Sequence, residues 1–288
     1  MSSIWLILTM SLTSKIGLGS VQFGIPYGVS NVEGQTTKEE VSKILSLANK
    51  KEIKLIDTAA AYGNAEEVLG GFDLSSFEVV SKFMPSTEQE TLENQFESSL
   101  QKLNLSSLYG YLAHRPLDII ENPNQWETLQ KLKKEGKIKK IGFSLNTPSE
   151  IENLILKGFV PSLVQVPYNY LDNRFKDVLI DLKRNGCEIH TRSSYLQGLF
   201  FMNTLKLNSF FDEAKPIIKS LQDECNESLS GVLLKYVLDL PFIDKVILGI
   251  ENSNQFQSNL NNIEIASSLE ERFFNISESI LMPSNWPK

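Results

Sequence analysis

Along this chain, short apolar runs with the length of buried β-strands alternate with longer stretches whose apolar residues recur every three or four positions. The strand-like runs cover residues 53–56, 77–81, 108–113, 138–143, 163–166, 187–191 and 246–248, after an opening run at 15–24. Helical stripes lie between them, and the first consists of Val41, Ile44, Leu45 and Ala48. The pattern predicts about eight strand–helix units.

Helix start and stop signals agree with this alternation. Thr37 and Glu40 have the spacing of a capping box. Thr147 and Glu150 have the same spacing, and Pro148 takes the first helical position between them. After the last strand, an Asn/Gln/Ser-rich stretch reaches residue 262 and fits either a loop that enters a helix or a solvated linker.

Eight strand–helix units in 288 residues match the (β/α)8 TIM barrel, an α/β fold that takes about 250 residues. A doubly wound open sheet is the alternative. It is disfavoured because Gly17, Gly19 and Gly24 lack the spacing of a dinucleotide fingerprint, and no helix is predicted to open there. We expect residues 1–288 to form one domain. Residues 1–14 are either a short leader or an over-extended start, and Met10 is an alternative first residue.

Composition narrows the possible functions. The formal net charge of −7 argues against a nucleic-acid-binding surface, which needs clustered Lys and Arg. The apolar patch at residues 4–8 is too short to span a membrane and lacks the basic flank of a signal peptide. Cys187 and Cys225 are too few for a disulfide framework and lack metal-ligand spacing. We therefore expect buried, inert thiols, no metal site and a cytoplasmic location.

Ionisable residues collect where the predicted strands end. Asp57, Lys82 and His114 follow three consecutive strands, and Tyr62 lies in the loop after the first of them. The carboxyl ends of all strands share one rim of a parallel barrel, so we expect these four side chains to meet. An ammonium group beside a tyrosine lowers the tyrosine pKa and makes it a better proton donor. The predicted chemistry is protonation of a carbonyl oxygen by Tyr62, with Asp57 holding Lys82 charged and a neutral His114 orienting the oxygen.

Several segments of the chain resemble the aldo/keto reductases. They are Asp57-Thr58-Ala59-x-x-Tyr62-Gly63, Ser81-Lys82, the strand-terminal His114, Gly136-Lys137-Ile138-x-x-Ile141-Gly142-x-Ser144 and Gln165-Val166-x-Tyr168-Asn169. The resemblance covers about residues 15–260 and implies an NAD(P)H-dependent oxidoreductase that reduces an aldehyde or ketone. It implies Tyr62 as the general acid, Lys82 and Asp57 as its tuning pair and His114 as the orienting group. Residues 17–24 and 192–199 are similar to bacterial members that occur with surface-polysaccharide genes, which points to a sugar-derived substrate.

The resemblance also implies a nicotinamide cofactor site. Ser144 and Gln165 match positions that hydrogen-bond the carboxamide, and Asn259 matches a position that contacts adenine. Gly19 adds a place in the opening strand where the backbone can approach the cofactor closely. Arg192 stands where the family often has a tyrosine under the nicotinamide ring, and a guanidinium plane can also stack on a ring.

One departure from the family bears on the choice of cofactor. The family usually binds the 2′-phosphate of NADPH with a Lys or Arg after the last strand, whereas residues 249–255 contain neither. Glu251 in that segment would repel a phosphate group. The resemblance implies NADPH as the cofactor, and this departure makes NADH the alternative cofactor. Similarly, Leu145 separates Ser144 from Asn146, which stands one position later than the family's asparagine.

Aromatic side chains near the predicted rim are candidates for binding a small carbonyl substrate. They are Tyr27, Phe83, Tyr168, Tyr170 and Tyr195. Two other functions stay open: a Schiff-base lyase with Lys82 as nucleophile, and a cofactor-binding regulatory protein with little turnover. The oligomeric state is also open.

Overall fold

The computed structural model describes residues 12–287, in which eight parallel strands close into a barrel in sequence order. The strands are β1 Ile16–Gly19, β2 Leu55–Asp57, β3 Glu78–Phe83, β4 Leu108–Ala113, β5 Ile138–Ser144, β6 Leu163–Pro167, β7 Glu188–Arg192 and β8 Lys245–Gly249. The barrel closes where β8 pairs with β1, with Ile16 opposite Val246. The predicted (β/α)8 barrel is confirmed, and the doubly wound alternative is wrong because this sheet has no open edge.

Helices surround the barrel between its strands. They are α1 Val21–Gly24, α2 Lys38–Lys50, α3 Ala65–Gly70, α4 Leu92–Leu103, α5 Asp118–Glu121, α6 Asn124–Lys134, α7 Pro148–Leu156, α8 Lys176–Arg184, α9 Lys215–Cys225, α10 Leu229–Leu238, α11 Ser253–Ile265 and α12 Glu278–Leu281. The Asn/Gln/Ser-rich stretch is therefore a helix, α11. No helix within residues 12–287 is long and apolar enough to cross a membrane. The apolar patch at 4–8 lies outside the described residues.

The end of the opening run differs from the prediction. β1 stops at Gly19, and α1 forms where the sequence suggested continued strand and no helix. This helical turn carries the chain over the rim against the loop that holds Tyr62. A Cβ on Gly24 would lie 1.8 Å from the carbonyl oxygen of Tyr62, so only glycine permits this approach.

The two predicted capping boxes also differ from each other. At the start of α7, Glu150 accepts a hydrogen bond from the Thr147 backbone N–H at 3.1 Å, and the box is complete. At the start of α2, Thr37 accepts from the Glu40 N–H at 3.3 Å, but the Glu40 carboxylate instead accepts hydrogen bonds from Ser253 on α11. Only half of that predicted box is formed, because the tertiary partner replaces the local one.

Inside the barrel, five apolar side chains from five strands form a plug below the rim: Leu55, Val80, Leu112, Leu163 and Ile247. Side chains on one face of a strand recur every two residues. The residue two positions after each plug member therefore also faces inward, one layer closer to the rim. These residues are Asp57, Lys82, His114, Gln165 and Gly249. The apolar plug thus supports a polar layer that contains most of the predicted catalytic residues.

The two cysteines are free, and the prediction of buried thiols holds for one of them. Cys187 is buried, and burial raises the pKa of its thiol to about 12. Cys225, the last residue of α9, is only half-buried, so the prediction is wrong for it. Its pKa is also raised by burial, which keeps this thiol protonated at neutral pH.

Candidate active site

Lys82 lies at the centre of the polar layer, and its side chain is 0% exposed. Its ammonium group donates to Asp57 Oδ2 at 2.6 Å, to the carbonyl oxygen of Thr58 at 2.9 Å and to Tyr62 Oη at 3.4 Å. An ammonium group has three hydrogens, so these partners engage all of them. Burial alone would lower the pKa of Lys82, but the Asp57 carboxylate and Tyr62 outweigh it and raise that pKa. Lys82 is therefore a fixed positive charge.

Asp57 is held from two sides. Its Oδ2 accepts from Lys82, and its Oδ1 accepts from Gln165 Nε2 at 2.7 Å. A carboxylate can only accept hydrogen bonds, so the amide nitrogen of Gln165 must face it. The Oε1 atom of Gln165 then points elsewhere, and it is buried without a partner among residues 12–287. Gln165 therefore supports Asp57 and keeps one free acceptor.

Tyr62 lies in the loop between β2 and α3, at the wall of the groove described below. The following residue, Gly63, has φ of +58°, which turns the chain sharply after the tyrosine. Because the Tyr62 hydroxyl oxygen accepts the hydrogen bond from Lys82, its own hydrogen is free to point into the groove. The Tyr62 ring meets the His114 ring edge-on, with centroids 5.8 Å apart.

His114 completes the group. Burial, together with the positive charges of Lys82, Arg192 and Arg115, lowers the pKa of His114 to about 3. Its imidazole is therefore neutral at physiological pH, and its Nδ1 is buried without a partner in the part of the chain that the structure describes. A neutral imidazole can hydrogen-bond a carbonyl oxygen without adding charge. The structure thus brings together the four side chains that the sequence selected as catalytic.

A groove with a cavity volume of about 1390 Å³ opens above this polar layer. Its wall includes Tyr62 and His114 together with four of the predicted cofactor residues: Gly19, Ser144, Arg192 and Asn259. The fifth predicted cofactor residue, Gln165, is fully buried and lies opposite the wall residue Ser144 in the pairing of β5 with β6. The groove also extends to the loop after β8 and the first turns of α11, which contribute Glu251, Gln255 and Ser258.

Arg192 ends β7 and reaches across to the end of β5. Its Nη2 donates to the carbonyl oxygen of Leu145 at 2.9 Å and to Asn146 Oδ1 at 2.8 Å. No carboxylate within residues 12–287 forms an ion pair with it, so its charge acts on the groove and on His114. Asn146, despite its offset in the sequence, lies in the groove wall beside Ser144.

The wall itself indicates what kind of molecule the groove could hold. Ser20 Oγ, Gln22 Oε1 and Ser194 Oγ are buried in this wall without a hydrogen-bond partner among the described residues. Buried polar atoms in proteins nearly always have a partner, so these atoms fit the hydrogen bonds of an elongated polar ligand such as a nicotinamide dinucleotide. No group of three or more His, Cys, Asp or Glu in the described chain is arranged to hold a metal ion. The sequence analysis did not select these three residues, because Ser20 and Gln22 lie inside the predicted opening run and Ser194 in the loop after a predicted strand.

Of the rim aromatics, Tyr27 and Tyr195 line the groove, and three are core residues instead: Phe83, Tyr168 and Tyr170. Phe83 follows Lys82 on β3, so its side chain points to the opposite face of the strand. It packs against Tyr111 with ring centroids 5.1 Å apart, outside the barrel. The prediction that these three bind substrate is wrong, because a position near a strand end does not fix which face the side chain takes.

Comparison with known proteins identifies the family of this chain. The model of the aldo/keto reductase family matches residues 15–281. Glyoxal reductase from Bacillus subtilis is 27% identical over 249 residues, which cover 83% of this chain and 84% of that protein. An aldo-keto reductase from Mycobacterium ulcerans is 28% identical over 246 residues, which cover 82% and 80%.

Solved structures show the same barrel. An aldo-keto reductase from Bacillus halodurans in its holo form superposes with a TM-score of 0.69 at 20% identity, covering 89% of this chain and 88% of that one. An aldo-keto reductase from Klebsiella pneumoniae in complex with NADPH superposes with a TM-score of 0.67 at 21% identity, covering 88% and 87%. At this identity the likeness demonstrates a shared fold.

Proposed function

Because this chain belongs to the aldo/keto reductase family and is an NAD(P)H-dependent oxidoreductase, we propose that it reduces an aldehyde or ketone to an alcohol with Tyr62 as the proton donor. The observation that carries the proposal is the hydrogen bond from Lys82 to Tyr62 Oη. It leaves the hydroxyl hydrogen of Tyr62 free for a substrate oxygen and puts a positive charge beside the phenolate that forms.

The nicotinamide supplies a hydride to the carbonyl carbon when it is bound. Tyr62 donates its proton to the carbonyl oxygen as negative charge builds there, and Lys82 stabilises the resulting phenolate. The neutral His114 hydrogen-bonds the same oxygen and fixes its direction. Asp57 keeps the Lys82 ammonium in place, so that the proton donor is ready before substrate enters.

We assign the cofactor to the groove, with Gly19, Ser144, Gln165, Arg192 and Asn259 as its binding residues. The free Oε1 of Gln165 would accept a hydrogen bond from the carboxamide nitrogen. Ser144 faces the same part of the groove from the end of β5, where its hydroxyl can donate to the carboxamide oxygen. This assignment places the nicotinamide beside Tyr62 and His114.

The substrate class follows from the groove wall and from the relatives. The tyrosine Tyr27 lies in the wall and its hydroxyl accepts a hydrogen bond from Gln197 Nε2 at 2.8 Å, which favours a polar substrate. We propose a small polar carbonyl compound, with sugar-derived aldehydes and ketones as the first class to test. Glyoxal is the second, because one relative is a glyoxal reductase.

The Schiff-base alternative is disfavoured by the state of Lys82. A nucleophilic amine must lose its proton and expose its lone pair. Lys82 instead has a raised pKa and three engaged hydrogens. Borohydride added with a carbonyl compound should therefore leave no adduct on Lys82 by mass spectrometry, and a trapped adduct would favour a lyase.

The proposed function is tested by titrating the purified protein with NADH and NADPH and then adding a panel of carbonyl compounds. Cofactor oxidation that depends on the carbonyl compound supports the reductase. Failure of both nucleotides to bind refutes it. Nucleotide binding without turnover of any carbonyl compound would favour the regulatory alternative.

A further inference from the structure

The first turn of α11 and the loop before it form the part of the groove wall that the adenosine half of a dinucleotide would face. The nicotinamide would lie beside Tyr62 and His114 for the chemistry to occur, and Asn259 on α11 is the residue assigned to the adenine, so the other half of the molecule would extend along the groove toward α11. There the wall is formed by Glu251, Gln255 and Ser258. This wall determines whether a 2′-phosphate can be accepted.

The N-terminus of a helix normally attracts phosphate because its first N–H groups and the helix dipole favour negative charge. At α11 those groups are already engaged. The backbone N–H and the hydroxyl of Ser253 both donate to Glu40 Oε2, at 2.9 and 2.8 Å, and the side chain of Asn252 accepts from the Gln255 N–H at 2.9 Å. A carboxylate from α2 thus engages the donors at the start of α11, beside the groove wall.

The charge on Glu40 is permanent at neutral pH. Hydrogen bonds from Lys43 and Ser253 lower the pKa of Glu40 to about 2. Lys43 neutralises part of this charge through an ion pair at 2.6 Å, and Lys43 is not part of the groove wall. Residues 249–255 contain no Lys or Arg.

Glu251 adds a second carboxylate in the groove wall itself. Its backbone is fixed on both sides: its N–H donates to Gln255 Oε1 at 2.8 Å, and its carbonyl oxygen accepts from Thr36 Oγ1 at 2.9 Å. Burial raises the pKa of Glu251, a hydrogen bond from Gln255 opposes that rise, and the charge of Glu33 adds to it. The side chain cannot move away through a backbone shift without breaking these bonds.

We propose that this enzyme selects NADH over NADPH, because Glu251 in the groove wall rejects the 2′-phosphate and accepts a hydrogen bond from a ribose hydroxyl, while Glu40 engages the donors at the start of α11. Carboxylates serve this purpose in dinucleotide-binding proteins of another fold, where they bind the ribose hydroxyls of NAD. A 2′-phosphate would bring between one and two further negative charges into contact with these groups. The groove therefore fits the dinucleotide but not the phosphate that distinguishes NADPH. This inference rests on the proposed function, since it concerns the cofactor of the reductase.

The test is a binding titration that does not depend on turnover. Dissociation constants for NADH and NADPH are measured by fluorescence or calorimetry for the natural protein, Glu251→Gln and the double variant Glu40→Gln/Glu251→Gln. The matched control is Glu264→Gln, which removes the same charge from an exposed position at the other end of α11. Circular dichroism and thermal melting verify that each variant is folded.

We expect NADH to bind the natural protein on the order of 10- to 100-fold more tightly than NADPH. Glu251→Gln should reduce that ratio by about 5-fold or more and the double variant further, mainly through tighter NADPH binding, whereas Glu264→Gln should leave it unchanged. Salt screens charge repulsion, so added potassium chloride should also reduce the ratio in the natural protein.

Three results would overturn the selection of NADH. They are equal or tighter binding of NADPH by the natural protein, a ratio that neither Glu251→Gln nor the double variant changes, and a ratio that rises with salt. Each of them leaves the reductase function intact as long as one nucleotide binds and supports carbonyl reduction. Failure of both nucleotides to bind would instead refute the proposed function itself.

Discussion

Gln165 Nε2 lies 2.7 Å from Asp57 Oδ1, although the two residues are 108 positions apart and belong to β6 and β2. The other oxygen of Asp57 accepts from Lys82, whose ammonium also donates to Tyr62. Gln165 is thus the first member of a hydrogen-bonded chain that ends at the proposed proton donor. Its Oε1, at the other end of the same amide, has no partner among the described residues, and we propose that it accepts a hydrogen bond from the cofactor.

Replacing Gln165 by Leu should weaken this chain. The buried Asp57 carboxylate would lose a donor, which should lower the free energy of unfolding by about 1–3 kcal/mol and turnover by roughly 10-fold or more. Steady-state kinetics and urea unfolding measure these two effects.

The matched control for this variant is Gln95→Leu. Gln95 is also a buried amide, but its side chain hydrogen-bonds the backbone of Met84 away from the groove. Gln95→Leu should lose stability without a loss of turnover. If Gln165→Leu behaved in the same way, Gln165 would have only a structural role.

Replacing Tyr62 by Phe should remove the proton donor and keep the ring contact with His114. Turnover should fall by roughly 10²- to 10⁴-fold, the usual contribution of a general acid, while the dissociation constant of the nucleotide changes by less than about 2-fold. Tyr27→Phe removes a hydroxyl from another part of the groove wall and should raise KM more than it lowers kcat. Turnover near the natural rate in Tyr62→Phe would reject Tyr62 as the acid.

His114 should make the protein less stable in mild acid. Its pKa in the folded protein is lowered to about 3, against an ordinary value of 6.5. Below pH 6.5 the unfolded chain therefore binds a proton that the folded protein does not, and stability falls until the pH approaches 3. Between pH 7 and 5 this term should cost about 1–2 kcal/mol, and His114→Gln should remove it from urea-unfolding curves. An NMR titration that showed His114 protonating near pH 6.5 would contradict the neutral imidazole.

Glu188 should contribute stability that is lost in stronger acid. Its side chain, 14% exposed at the start of β7, accepts from Tyr109 Oη at 2.6 Å, pairs with His190 Nε2 at 2.8 Å and lies 3.3 Å from Lys140 Nζ. Burial alone would raise the pKa of Glu188, but the hydrogen bonds from His190 and Tyr109 and the charge of Lys140 lower it to about 2. The stabilisation is therefore present above pH 4.5 and disappears as the pH falls toward 2.

Glu188→Gln should lower the free energy of unfolding at pH 7 on the order of 2–3 kcal/mol and flatten its dependence on pH between 4.5 and 2. Catalysis at pH 7 should stay near the natural rate, since Glu188 begins a strand and the groove lies at the strand ends. Glu152→Gln, an exposed position on α7, provides the control. An unchanged acid transition in Glu188→Gln would show that other carboxylates cause it.

The sequence alone determined the architecture and brought together the proposed catalytic group. The hydrophobic period of a strand or helix depends on that element alone, because each element must bury one face. Once eight such units close in order, the strand ends share a rim, and Asp57, Lys82 and His114 had to be neighbours with Tyr62 beside them. The absence of a Lys or Arg after the last strand was also visible in the sequence, because it concerns a single local segment, residues 249–255.

Only the tertiary structure decided which polar groups from distant elements meet. Gln165 holds Asp57 through the closure and register of the barrel, and Glu40 leaves its own helix cap for Ser253 because α2 and α11 pack side by side. Phe83 faces the helices instead of the groove because consecutive residues of a strand point to opposite faces, and Lys82 takes the inner face. A one-dimensional pattern reports which face of an element is buried, whereas a hydrogen bond requires two atoms within about 3 Å, and that distance is fixed only when the whole barrel has closed.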